Sequence, residues 1–252
     1  MTPTIKSIIF DLGNTLLYFD GEVPTIYKKA IQALAQYLIN QGYPINSERF
    51  SQKLIDAIQS YYNKREIDLI ESTTFTVLEE VVREYGIDQI SREHLRHALD
   101  EMYTVTEEKW LLEHDSIEVI EKLKKQGYQI GLISNAGDSN DVQRLIDKTQ
   151  LRKYFDLILI SADFGLRKPH KDIFNHALNH WSINPEQAVM VGDKLQADII
   201  GANNVGIRSV WIIRRALSEG NYDPDDKIHP DAIIKSLEEL PGIIQNWEAE
   251  NS

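Results

Sequence analysis

Six residues near the N-terminus, Ile5 to Phe10, form a short β-branched run that stops at Asp11 and Gly13, the pattern of a buried strand feeding a loop. The next hundred residues are of another kind. Between Glu22 and Trp110 apolar residues recur at helical spacing, first as Ile26, Ala30, Ile31, Leu34, Tyr37 and Leu38, then as Phe50, Leu54, Ile55 and Ile58,. Gly42 with Pro44, and then Gly86, divide this stretch into helices. Ser47 and Ser91 are the predicted N-caps, with Glu48 and Glu93 in the first turns that follow,. After Trp110 strand and helix alternate, which marks a parallel sheet covered by helices.

Five strands are predicted: Ile5 to Phe10, Gln129 to Ile133, Leu157 to Ile160, Ala188 to Val191 and Ser209 to Ile213. Helices at Ile117 to Gln126, Asp141 to Lys148, Ile173 to His180 and Asp198 to Asn204 supply the crossovers, and Gly127 and Gly206 are placed to end two of them,. The expected fold class is α/β, a doubly wound, Rossmann-like parallel sheet with an inserted α-helical domain. Since the first strand precedes the insert, the core is discontinuous: residues 1–19 and 111–252 form it, and residues 20–110 form the insert. Glu219 to Pro230, rich in Asp, Gly and Pro, reads as a surface loop before a last helix,.

Composition narrows the function. Of 252 residues, 27 are Lys or Arg and 39 are Asp or Glu, a net charge of −12 that argues against nucleic acid and anionic membranes as partners,. No cysteine is present, which removes disulfides, thiolate metal sites and a cysteine nucleophile, and fits a reducing compartment,. The apolar run before Asp11 is too short for a signal peptide or membrane span. The expectation is a soluble, cytoplasmic protein.

In an open parallel sheet, ligands bind beyond the carboxyl ends of the strands. Strand one ends in Phe10-Asp11-Leu12-Gly13-Asn14-Thr15-Leu16, strand two in Ser134-Asn135, and strand four in Gly192-Asp193, five residues before Asp198. Gly165-Leu166-Arg167-Lys168-Pro169 precedes the helix that leads to strand four. Each piece alone has an ordinary reading as turn former, helix cap or solvated loop residue. Jointly they can bring two or more carboxylates, one ammonium and short hydrogen-bond donors to one edge, the set needed to hold a divalent cation against a phosphate.

With these residues in view, the sequence resembles the haloacid dehalogenase-like (HAD) hydrolases, in the branch with a helical cap after the first strand. The likeness runs from about Ile8 to Ile213. FDLGNTL is similar to the family's first motif, LISN to its second, FGLRKPHKDIF to its third and VMVGDKLQADIIGANNVG to its fourth. The resemblance implies a phosphatase for a small phosphorylated substrate. Asp11 would be the nucleophile, giving an aspartyl-phosphate, and magnesium would be held by the side chains of Asp11 and Asp193 and the carbonyl of Gly13. Ser134 and the backbone of Asn135 would hold phosphate oxygens. Lys168 would neutralise the transferring group and Asp11, with Asp198 orienting the lysine and the metal shell. A carboxylate is a poor nucleophile toward a phosphate dianion, so a cation and a lysine are needed to offset the repulsion.

One position departs from the family's phosphatases, which carry a second Asp two residues after the nucleophile; here it is Gly13. Loss of a general acid/base typically costs on the order of 10² to 10⁴ in rate, so slow turnover that depends on the leaving group is expected. Asp20 is a conceivable substitute, although a hinge-turn role fits it better. Gly13 also raises a 2-haloacid dehalogenase, which needs no metal, and a catalytically impaired binding protein. Against the first stand GDKLQAD, which keeps the metal-binding carboxylates, and the segment after Thr15, which offers Lys28 and Lys29 but no Arg. Against the second stands retention of Asp11, Lys168, Asp193 and Asp198. A phosphomutase leans on the absent second Asp. Gly201 to Gly206 lacks the Lys-Ser/Thr of a P-loop,. His176 with His180 lacks a third zinc ligand, and Tyr61, Tyr62 and Phe75 read as core of the insert.

Overall fold

The computed structural model describes residues 5–216 and 227–249. Most of the loop expected from Glu219 to Pro230 lies outside the described residues. The chain opens with β1 (Ser7–Phe10), leaves the sheet through β2 (Leu17–Phe19), and enters four helices, α1 (Val23–Asn40), α2 (Ser47–Asp68), α3 (Thr74–Glu84) and α4 (Arg92–Glu107). It returns through β3 (Trp110–Leu112) and continues as α5 (Ser116–Lys125), β4 (Gln129–Ser134), α6 (Ser139–Lys148) and β5 (Leu157–Ile160). Next come a single turn α7 (Ser161–Phe164), α8 (Lys171–Trp181) and β6 (Ala188–Gly192). The described chain closes with α9 (Ile200–Val205), β7 (Arg208–Ile212), the short α10 (Ile213–Ala216), β8 (Ala232–Ile234) and α11 (Leu240–Ala249).

Among the described residues the main sheet has six parallel strands in the order β5-β4-β1-β6-β7-β8. The fold class is therefore the α/β, doubly wound arrangement expected. β1 lies at the centre, with Ser7 in register with Gln129 on one side and Ala188 on the other. Alternation along the strands feeds two apolar layers. Ile8 and Phe10 join Ile130, Leu132, Val189 and Val191 on one face, while Ile9 joins Ile133, Ala188 and Met190 on the other. Both faces of β1 are sealed, and burying each large apolar side chain contributes roughly 1.5–3 kcal/mol. Gly127 and Gly206, at φ +94° and +83°, end α5 and α9 in the left-handed conformation expected of them,.

The four inserted helices pack around an apolar cluster of their own that includes Leu34, Phe50, Leu78 and Leu99. The chain leaves and re-enters the core through an unforeseen antiparallel pair, β2 with β3, in which Leu17 faces Leu112 and Phe19 faces Trp110. β8 was also unforeseen. At the start of α2 the cap is Asn46, whose side chain accepts from Arg49 N, not Ser47, which is the first helical residue. Ser91 caps α4 as expected, accepting from His94 N. α2 ends at Leu69, held at φ +57°, a conformation that costs an ordinary L-residue about 1–2 kcal/mol,. There the chain turns onto the core: Arg167 N donates to Leu69 O at 3.1 Å and Glu71 N to Gly165 O at 3.0 Å. No helix among the described residues is long and apolar enough to cross a membrane.

Candidate active site

The carboxyl ends of β1, β4 and β6 and the loop before α8 meet at one edge of the sheet. Lys168 stands at the centre, almost wholly buried, with Nζ 2.6 Å from Asp11 Oδ1, 2.6 Å from Asp198 Oδ1 and donating at 2.6 Å to the carbonyl of Ile133. Burial works against its ammonium, but Asp11 and then Asp198 more than offset that and hold its pKa above the ordinary lysine value,. The loop is fixed from behind by Asn135, whose amide donates to Lys168 O at 2.9 Å and accepts from Lys168 N at 2.8 Å. The side chain of Asn135 is thus occupied in positioning the lysine.

Asp193 follows β6 and is fully buried, its main-chain carbonyl accepting from Trp211 Nε1 at 2.8 Å. Asp198 sits on a single π-helical turn, Leu195–Ile199, and accepts from Lys194 N at 2.9 Å. Such turns recur at functional sites. Its carboxyl lies across Gly192 so closely that a Cβ there would stand 2.3 Å from it, so glycine is required at that position. One oxygen from each of Asp11, Asp193 and Asp198 lies within 4.8 Å of the others. Burial, Asp11 and Asp198 together push Asp193 up to about 8. Three carboxylates so close around one ammonium form an arrangement that a divalent cation relieves. Since Asp198 is held by Lys168 and Lys194 N, the donors suited to a cation are Asp11 and Asp193.

A cavity of about 310 Å³ opens in front of this cluster, lined on the core side by Asp11, Gly13, Ser134, Asn135, Lys168 and Asp198. Asn14, at φ +58°, completes the turn after β1 and also lines it; Asn tolerates that conformation better than most residues. The inserted helices supply the opposite wall through Tyr27, Ile58, Tyr62, Arg65 and Tyr103. Tyr62 therefore faces the cavity, contrary to its reading as core. Arg65 had no sequence reading, yet it brings a guanidinium to the space that the segment after Thr15 does not supply. Lys28 and Lys29 are exposed and do not line the cavity. Neither does Asp20, an exposed residue whose N–H donates to Lys109 O at 2.7 Å beside the hairpin. His176 and His180 are exposed, and Gly201 lies against Phe174, where a Cβ would approach within 2.4 Å.

Gly13 borders Trp110 on β3, with its ideal Cβ position 3.2 Å from Trp110 Cη2. The indole is fixed edge-on against Phe19, ring centroids 5.3 Å apart. The wall beside Asp11 is thus apolar at position 13.

The profile of the haloacid dehalogenase-like hydrolases matches residues 5–206. The chain belongs to this family and is a hydrolase. It is 29% identical to a glyceraldehyde 3-phosphate phosphatase of Pyrococcus furiosus, over 98% of this chain and 95% of that protein. A phosphoserine phosphatase of Thermus thermophilus is 25% identical over 94% of this chain and 91% of its own length. Among solved structures, a 2-haloacid dehalogenase from Pseudomonas syringae pv. Tomato DC3000 superposes with a TM-score of 0.68 at 25% identity, covering 96% of this chain and 99% of that one.

Proposed function

We propose that this HAD-like hydrolase is a magnesium-dependent phosphatase that cleaves a small phosphate monoester through an aspartyl-phosphate on Asp11. The observation that carries the reading is the position of Lys168, bridging Asp11 and Asp198 at 2.6 Å each, with the Asp193 carboxylate in the same cluster. The phosphatase names of the two relatives support it. Residues 20–110 act as the cap and residues 1–19 with 111–252 as the core.

Asp11 attacks phosphorus through the oxygen not engaged by Lys168. The Asp11 Oδ–P bond forms as the bond from phosphorus to the leaving oxygen breaks, and the electron pair departs with that oxygen. Lys168 keeps Asp11 aligned and offsets the charge of the transferring group. Ser134 and the main chain of Asn135 hold the phosphate oxygens, and Asp198 keeps the ammonium in place. Magnesium, held by Asp11, Asp193 and the carbonyl of Gly13, would neutralise phosphate charge that otherwise repels the carboxylate. With no carboxyl at position 13, the leaving oxygen takes its proton from water. Water then adds to phosphorus, the bond to Asp11 breaks, and inorganic phosphate leaves with the carboxylate restored.

The second reading, a 2-haloacid dehalogenase, draws on Gly13 and on Arg65 in the cavity; the three clustered carboxylates weigh against it. One assay separates them: release of phosphate from 4-nitrophenyl phosphate with magnesium, and of chloride from 2-chloropropionate without it. The phosphatase reading expects phosphate only, with Asp11→Asn lowering the rate at least about 10³-fold. Activity that survives Asp11→Asn, or chloride release with no phosphatase activity in any metal, overturns it.

A further inference from the structure

Where α2 ends, a charge cluster centred on a buried carboxylate joins the inserted helices to the core. Glu71, whose side chain is fully buried, accepts from Ser161 Oγ at 2.8 Å and from Tyr61 Oη. Two guanidinium groups converge on it: Arg65 Nη1 at 3.0 Å from Oε1 and Arg167 Nη1 at 3.8 Å from Oε2. Arg167 has a further partner in Glu66, at 3.1 Å, but that carboxylate is exposed to solvent. Burial and then Arg65 push the Arg167 guanidinium below its ordinary pKa. Buried Arg167 and partly buried Arg65 thus share one buried anion, while the second carboxylate, Glu66, stands largely in solvent, where its charge is screened,.

Arg65 is the member of this cluster that also lines the cavity over Asp11. Its guanidinium lies 3.8 Å from the Tyr62 ring centroid and 5.2 Å from that of Tyr61, which restricts its orientation,. Nη1 is taken by Glu71, and the buried Nε has no hydrogen-bond partner, with Glu66 Oε1 4.0 Å from it,. Asp141 of α6 lines the cavity from the core side, and burial and then Glu107 hold its carboxyl well above the ordinary carboxylate range.

We infer that Arg65 is the recognition point for a second anionic group, a carboxylate on the leaving group, so that the preferred substrates are small phosphate monoesters bearing a carboxylate. A guanidinium fork with one arm committed leaves an edge suited to a planar carboxylate. The cavity, at the low end of ligand-site volumes, suits a short leaving group,. The inference rests on the phosphatase reading and adds to it the chemistry of the group beyond the ester oxygen.

The test compares phosphoglycolate with ethyl phosphate, which differ by a carboxylate in place of a methyl group, with 1,2-ethanediol bisphosphate as a third substrate and 4-nitrophenyl phosphate as the reference. All are assayed with magnesium. The wild-type enzyme is expected to favour phosphoglycolate over ethyl phosphate in kcat/KM by at least about tenfold. Arg65→Met should bring that ratio close to one, mainly by raising KM for phosphoglycolate, and Arg65→Lys should restore only part of it. Because the ratio is read in a single preparation, it is insensitive to the fraction of the variant that folds. Equal wild-type rates on the pair, with 4-nitrophenyl phosphate cleaved, overturn this inference and leave the phosphatase reading standing. A preference for the bisphosphate over phosphoglycolate, or a ratio unchanged in Arg65→Met, also overturns it. No phosphate release from any of the four brings down both.

Discussion

Position 13 and Trp110 share one small volume. A carboxyl introduced at Gly13 must displace the indole by a few tenths of an ångström, since the Cβ position alone stands 3.2 Å from Trp110 Cη2. Gly13→Asp by itself is therefore expected to gain little on alkyl phosphates. Combined with Trp110→Leu it should raise kcat on alkyl phosphates by about tenfold or more, part of the 10²–10⁴ a positioned acid/base supplies. Rates on a set of alkyl and aryl phosphates check this, and a double variant no better than the single one would mean that the indole is not the obstacle. Several core-side residues of this site were readable in the sequence because they lie at or just past the end of a strand and their chemistry is local: Asp11 after β1, Ser134 at the end of β4, Asp193 after β6. Arg65 was not. It stands in the charged run Lys64-Arg65-Glu66 on a helix, where a side chain facing a cavity has the same spacing as one facing water.

At the level of elements, Asp115 ties together parts of the chain that sequence patterning left separate. Its buried carboxylate, at the start of α5, accepts from Arg214 Nη1 of α10 at 2.9 and 2.8 Å, from Ser236 Oγ at 2.8 Å and from Leu237 N at 2.9 Å. Burial alone would raise its pKa; the hydrogen bonds from Ser236 and Arg214 outweigh that and hold it below the unfolded value of 3.8. The stability it contributes is therefore present above pH 3.8 and is lost as pH falls through the lower folded value. Asp115→Asn should cost about 2–4 kcal/mol at pH 7, and the gap from wild type should narrow below pH 3.8, as read by denaturant unfolding across pH. A gap constant with pH would place the loss in packing instead. The four longer crossover helices and five strands were visible from periodicity, whereas β2, β3 and β8 were not. Each has three residues, too few to show alternation, and Leu17 finds its partner Leu112 only across the whole helical insert.

For the molecule as a whole, two of the contacts between the inserted helices and the core are made at loops that also carry the site. One is the contact of Leu69 and Glu71 with residues 165–167, directly before Lys168. The other is Thr74, whose N–H donates to Gly137 O at 2.7 Å and whose Oγ1 lies 2.7 Å from where a Cβ on Gly137 would stand. Gly137→Ala should hold the inserted helices away from Asp11 and lower kcat/KM by up to about 10²-fold, without changing the circular dichroism of the fold. Adding Thr74→Ala should recover part of the loss; if it recovers none, the steric account is wrong. The central place of β1 has a consequence for the chain during its synthesis. Ser7 leaves the ribosome early, but its register partners, Gln129 and Ala188, are translated much later. At about 5–20 residues per second, this apolar segment waits on the order of ten seconds or more for its second neighbour, an interval in which a chaperone has reason to hold it.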